Sequence, residues 1–309
     1  MPSPPNRQIG LTGLIAASFT AFHDDGSLNL DPIESHAALL ARNGVTGVFV
    51  CGSTGEGVSM TTDERMRCFQ RWCDVGRGGL KVLAHVGHNS LGDAQALAAH
   101  AQKAGADAIA TVAPSVLRPA SVADLVDWCA AVAAGAPETP YYYYHIPVLT
   151  GIRLDMVAFI ALAKERIPTF AGLKFTDENL MEFGRCVTSD GGRWNLLYGR
   201  DEILLAGLAT GAHGAIGSTF NYSAPVYNRV IAAFERGDMP TAMREMTRAR
   251  DCVQILVDFG GAPAGKAMLK LCGVDCGPMR LPLRTLSPAR IAELEAALDA
   301  FGWDDVRCR

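Results

Sequence analysis

The sequence lacks the features that would place it outside the ordinary globular enzymes. No uninterrupted apolar stretch approaches the roughly 18 residues of a membrane span, although 49% of the 309 residues are hydrophobic. The opening Met-Pro-Ser-Pro-Pro-Asn-Arg holds no apolar core of a secretory signal. There is no basic cluster, and a net charge of −4 argues against a nucleic-acid partner. A disulfide framework is missing too: the nine cysteines are an odd number, widely scattered. Cys68, Cys73 and Cys129 fall within helical patterns, as small apolar residues with reduced thiols do. Cys272 and Cys276 are spaced like two ligands, but Gly273 and Gly277 break the helical reading and no second pair lies near for zinc. The expectation is a soluble, cytoplasmic protein with no membrane or nucleic-acid partner.

What is present is a repeated alternation of short β-rich runs with amphipathic segments. The strand candidates are 14–19, 45–51, 81–86, 108–112, 140–145, 170–175, 195–198 and 214–217. The helical candidates between and after them are 31–43, 62–75, 90–104, 121–134, 154–165, 177–188, 201–210 and 224–236. Asp-Pro, Ser90 and Ser121 supply start signals, and Asp63 and Glu64 suit a first turn. Eight such units predict a (β/α)8 TIM barrel over 1–236, since barrels of this kind take about 250 residues. The rival doubly wound sheet lacks its glycine fingerprint. The remainder, 237–309, reads as a C-terminal helical extension of the same domain, with helices over 239–259, 266–272 and 288–301. Between the last two, Leu281-Pro-Leu-Arg is expected to be an extended linker.

In a parallel barrel the functional groups gather at the carboxyl ends of the strands. The second unit ends in Gly52-Ser53-Thr54-Gly55-Glu56-Gly57, whose glycines and hydroxyls suit close approach to a carboxylate or phosphate, or simply a tight turn. His85 and His88 end the third unit, and four tyrosines precede His145 in the fifth. By parity Tyr142 and Tyr144 share one face, Tyr141 and Tyr143 the other, and only Tyr144 stands at the carboxyl end. The three histidines lack both a helical HExxH spacing and a nearby carboxylate, so no metal is expected.

The sixth unit contains Lys174 in an apolar run, sharing a face with Thr176 while Leu173 and Phe175 take the other. Such a lysine is either an edge residue whose head reaches water or an amine carried into an enclosed space. Gly199-Arg200-Asp201-Glu202 ends the seventh unit, where Asp201 would also serve a helix start, and Ser218 and Thr219 follow the eighth strand. Gly260-Gly-Ala-Pro-Ala-Gly265-Lys266 imitates a phosphate loop, but Ala267 replaces the magnesium-binding hydroxyl and a helix joint is the simpler reading.

In order and spacing, these stretches resemble the N-acetylneuraminate lyase branch of the dihydrodipicolinate synthase superfamily. The markers are Gly-Ser-Thr-Gly-Glu, Ala84-His-Val-Gly87, Tyr144-His-Ile-Pro147, Gly172-Leu-Lys-Phe-Thr176, Tyr198-Gly-Arg-Asp-Glu202 and Gly217-Ser-Thr-Phe-Asn221. The resemblance covers nearly the whole chain and implies a homotetramer of TIM barrels with a Schiff-base lysine, matched by Lys174. It implies catalytic roles for Tyr144 and Ser53, and substrate binding by Thr54, Thr176, Gly199, Asp201, Glu202 and Ser218. Dihydrodipicolinate synthases carry an arginine two residues beyond the proline of the tyrosine motif, where this chain has Leu149. They also lend a neighbouring subunit a tyrosine after the fourth strand, where this chain has Ala113-Pro-Ser-Val-Leu-Arg118 and no tyrosine.

The implied reaction cleaves a 2-keto sugar acid, N-acetylneuraminate, into pyruvate and N-acetylmannosamine. The carbanion left at C3 needs an electron sink, and a lysine condensed with the C2 ketone supplies one without a cofactor. A lysine amine, with a reference pKa of about 10.4, must be enclosed to be free at neutral pH. Two alternatives use the same residues: another pyruvate-dependent aldolase or synthase, and a non-catalytic keto-acid-binding protein.

Overall fold

The computed structural model describes residues 10–309, so the stretch read above for a secretory signal lies outside the described residues. Eight parallel strands close into a barrel. They are β1 Gly13–Ala17, β2 Val45–Val50, β3 Lys81–His85, β4 Ala108–Thr111, β5 Tyr141–His145, β6 Phe170–Phe175, β7 Asn195–Tyr198 and β8 Gly214–Gly217. Each strand pairs with its sequence neighbours and β8 returns to β1, which is the (β/α)8 architecture expected from the alternation.

Parity along the strands sorts the side chains into two cores. Ile15, Phe49, Leu83, Tyr142, Tyr144 and Leu197 fill the barrel, whereas Val48, Ala84, Tyr141, Tyr143, Leu173 and Phe175 pack outward against the helices. The tyrosine run therefore divides as its period of two requires. The register sets Lys174 beside Tyr144 on one side and Leu197 on the other.

The helices begin where local chemistry satisfies their free N–H groups. Thr61 with Glu64 and Ser121 with Asp124 form capping boxes, and Ser90 accepts from Asp93 N. The first helix starts at the expected Asp-Pro, with Pro32 in its first turn and no side-chain cap from Asp31. Other starts differ. The sixth helix begins at Leu180 under an Asn179 cap, leaving Asp177 in the loop. Asp201 opens only a 3-10 turn, Asp201–Ile203, ahead of the short helix Leu204–Ala209. Leu281-Pro-Leu-Arg is not an extended linker: Leu283 N donates to Arg280 O across a tight turn, 3.1 Å. All nine cysteines are free, eight of them buried.

The helices Met239–Asp258, Ala262–Leu271 and Pro288–Phe301 form the extension, which packs on the barrel through the long helix Phe220–Glu235. One contact ties it to the glycine-rich turn after β2. Lys266, 4% exposed, donates to Glu56 at 3.2 Å and to the Pro278 carbonyl at 2.6 Å. Arg280 N donates to the other Glu56 oxygen, 2.8 Å, while its guanidinium binds Glu64 and the carbonyls of Gly26 and Ser59. The lysine of the phosphate-loop look-alike is thus a buried ion-pair partner inside a helix.

Removing one member of a buried ion pair strands the other charge, at a typical cost of about 3–5 kcal/mol. Lys266→Met should lower the urea midpoint by that order, and Lys266→Met with Glu56→Gln should recover part of the loss. A single-variant loss below about 1 kcal/mol would contradict a structural role for the pair.

Candidate active site

The inner faces of β2, β3 and β5 place three rings around one amine, carried by β6, at the carboxyl end of the barrel. Lys174 is 4% exposed. Its Nζ lies 4.1 Å from the Phe49 ring centre and 3.9 Å from that of Tyr144. The neutral imidazole of His85 stands edge-on to Tyr144, the ring centres 6.1 Å apart. An ammonium gains from the two aromatic faces but loses most of its hydration. Burial accordingly lowers the Lys174 pKa to about 7, with the Asp201 carboxylate acting in the opposite direction.

Asp201 reaches the site from the loop after β7. Its Oδ2 accepts from Thr219 N at 2.9 Å and from Thr219 Oγ1 at 2.8 Å. Burial raises its pKa to about 6 in spite of those bonds. The sequence reading offered Asp201 as a free acceptor for several hydroxyls, whereas one of its oxygens is already engaged and only Oδ1 is left. The carboxylate lies over Gly217, where an added Cβ would come within 1.9 Å of Oδ1. Glu202, half-buried beside it, pairs with Arg200 at 3.2 Å, and Arg200 also binds Glu178.

Tyr144 is buried, which pushes its phenol up to about 12, and the hydroxyls of Ser53 and Thr176 beside it act against that shift. Thr176 Oγ1 is itself buried without an aligned hydrogen-bond partner among the described residues. It packs on Gly199, whose missing side chain makes the space: a Cβ there would sit 1.9 Å from Oγ1. Ser53 lies exposed on the turn after β2, and Thr54 follows it half-buried.

The fold therefore brings Lys174, Tyr144, Ser53, Thr176, Gly199 and Asp201 together, with Glu202 at the edge. Thr54 and Ser218 lie on the same rim as chain neighbours of Ser53 and Thr219. No side-chain hydrogen bond of either reaches the cluster among the described residues. Sequence reading missed Phe49, whose only signal was its inward parity on β2, and the anchoring role of Thr219. Of the histidines weighed above, His85 faces the interior, while His145 packs against Phe175 on the outer face.

The model of the dihydrodipicolinate synthetase family matches residues 10–301. The chain belongs to that family. Within the family it is similar to the N-acetylneuraminate lyase of Xenopus tropicalis, 44% identical, covering 88% of this chain and 90% of that protein. The human N-acetylneuraminate lyase is 38% identical, with 96% of this chain and 95% of that one covered. Among solved structures, the N-acetylneuraminate lyase of Proteus mirabilis superposes with a TM-score of 0.91 at 39% identity, covering 94% and 98%. A dihydrodipicolinate synthase of Cyanidioschyzon merolae, solved with lysine bound, gives 0.88 at 29% identity, covering 95% and 99%.

The Lys174 shift has a consequence for stability. The unfolded amine keeps its proton to about 10.5 and the folded one only to about 7. Between those values the unfolded chain binds more protons, so this residue makes stability rise with pH across that window; below it the full penalty of a buried charge persists. Lys174→Met should be more stable than the parent at pH 6, with the gap closing from pH 7 to 10 in thermal melts. A gap constant over that range would contradict an enclosed, desolvated amine.

Proposed function

We propose that this chain is a Schiff-base lyase that cleaves N-acetylneuraminate to pyruvate and N-acetylmannosamine. The observation that carries the reading is the enclosed Lys174 amine, with its pKa lowered to about 7, between two aromatic rings and opposite Asp201. Support comes from family membership and from lyase relatives similar over most of their length.

The steps balance with side chains alone. The neutral Lys174 amine adds to the C2 ketone, and the resulting carbinolamine loses its hydroxyl as water, the Tyr144 phenol supplying the proton. Burial disfavours the phenolate left behind, but the new iminium beside the ring offsets part of that cost. Tyr144, relayed by Ser53, then takes the C4 hydroxyl proton as the C3–C4 bond breaks. The electron pair moves into the iminium to give an enamine, and the C4 fragment leaves as the aldehyde sugar. Protonation at C3 and hydrolysis release pyruvate and restore the amine. No cofactor enters the scheme.

The substrate carboxylate rests on the turn of Ser53 and Thr54. The hydroxylated tail meets Thr176, the Gly199 backbone, the free oxygen of Asp201, Glu202 and Ser218. Leu149, 58% exposed in the short helix Pro147–Thr150, offers nothing to a second carboxylate, which favours the lyase over a dicarboxylate-forming synthase. Val116, Leu117, Val148 and Leu149 form exposed apolar surface on the loops after β4 and β5. Arg118 lies against Gly151 between these loops. That surface is consistent with self-association, and a homotetramer is the assembly proposed. No helix among the described residues is long and apolar enough to cross a membrane, and a cytoplasmic location is proposed with it.

Borohydride reduction in the presence of pyruvate should leave a 1-carboxyethyl group on the Lys174 nitrogen, located by peptide mass mapping, and Lys174→Ala should abolish turnover while remaining folded. The rate of adduct formation should fall about tenfold per pH unit below 7, as the amine gains its proton. An adduct elsewhere, or substantial turnover by Lys174→Ala, would sink the imine mechanism. Pyruvate release from another keto sugar acid, with none from N-acetylneuraminate, would overturn the substrate assignment.

A further inference from the structure

Behind the glycine-rich turn lies a cation with no counter-charge. Arg65, on the helix Thr62–Gly76, is 1% exposed. Its Nη1 donates to the Gly87 carbonyl at 3.0 Å and its Nη2 to the His85 carbonyl. Nε is buried with no partner, and among the described residues no carboxylate pairs with the guanidinium. Around it stand the His85 imidazole, its Nδ1 3.4 Å from Nη2, the thiols of Cys51 and Cys68 and, more weakly coupled, Asp93, which is itself held by Ser90 and Thr62. A guanidinium does not escape burial by losing its proton, so this charge persists.

The same network reaches the turn. His85 Nδ1 lies 3.1 Å from the Cys51 carbonyl, and we assign its proton to that bond. Cys51 has a left-handed backbone, φ 56°, and immediately precedes Gly52, Ser53 and Thr54. Arg65 thus holds the carbonyls of His85 and Gly87, His85 holds Cys51, and Cys51 sets the direction of the turn.

A buried cation left uncompensated is costly, and a folded enzyme retains one when something arrives to balance it. We propose that Arg65 is a positioning residue for the substrate carboxylate: its unbalanced charge is met when the carboxylate settles on the Ser53–Thr54 turn, which Arg65 shapes through His85 and Cys51. The inference rests on the proposed placement of the carboxylate at that turn. A tenfold gain in affinity from that compensation corresponds to about 1.4 kcal/mol. The class of ligand selected is the 2-keto carboxylate, against neutral ketones of the same shape.

The test compares pyruvate with methyl pyruvate, which keeps the ketone but carries no charge. Half-saturation for borohydride-trapped adduct is read by mass spectrometry on wild type, Arg65→Met and Arg65→Lys. Arg65→Met should lose about tenfold or more for pyruvate and less than threefold for methyl pyruvate, while Arg65→Lys keeps most of the preference. Equal losses for both ketones would reduce Arg65 to a packing role and overturn the inference, as would no loss for pyruvate. Should Arg65→Met fail to fold, Cys68→Asp places a carboxylate beside the intact guanidinium and should give the same selective loss; its absence there counts equally against the inference. If wild type forms no adduct with either ketone, the imine reading falls. Calorimetric binding of pyruvate to the same variants then still decides the role of Arg65.

Discussion

The interaction on which the rest of the site depends is the desolvation of one ammonium group. A lysine in water holds its proton far above neutrality and is a poor nucleophile. Here the barrel wall replaces its hydration with two aromatic faces and one buried carboxylate, Asp201. Desolvation is the larger effect for both partners, so the lysine pKa falls and the Asp201 pKa rises. Burial thus moves the two groups toward each other, the amine losing basicity and the carboxyl losing acidity.

A reactive amine also needs a rigid receptor for the acid end of its substrate. The glycine-rich turn is fixed from two sides by buried charges that leave its hydroxyls unencumbered. On one side, Glu56 is gripped by Lys266 and the Arg280 backbone from the C-terminal extension. On the other, Arg65 holds the carbonyls of His85 and Gly87, and His85 holds that of Cys51. The extension is therefore more than a cover over the barrel. Its ion pair reaches into the turn that carries Ser53, so the distant helices are coupled to that turn through Glu56.

Much of this was legible beforehand because it depends on periodicity. Alternation of eight strand–helix units is a property of local patterning, and the parity of Tyr142, Tyr144, Lys174 and Thr176 follows from the pleat. What failed to show was anything decided by contacts between distant segments. Asp201 read as a substrate-binding acceptor or a helix start because nothing in its neighbourhood reveals Thr219, 18 residues away on the loop after the adjacent strand. Lys266 read as part of a helix joint with no sign of an ion pair, because its partner Glu56 stands 210 residues earlier.

The sequence by itself determined the fold class, the family and the identity of the residues at the strand ends, since these follow from spacing and residue type. Only the tertiary structure decided how those residues behave. A pKa near 7 for Lys174, an Asp201 with one oxygen committed and an Arg65 without a counter-charge are all consequences of burial and of neighbours brought from remote parts of the chain. Electrostatic energy depends on distance and dielectric, and neither exists until the barrel closes.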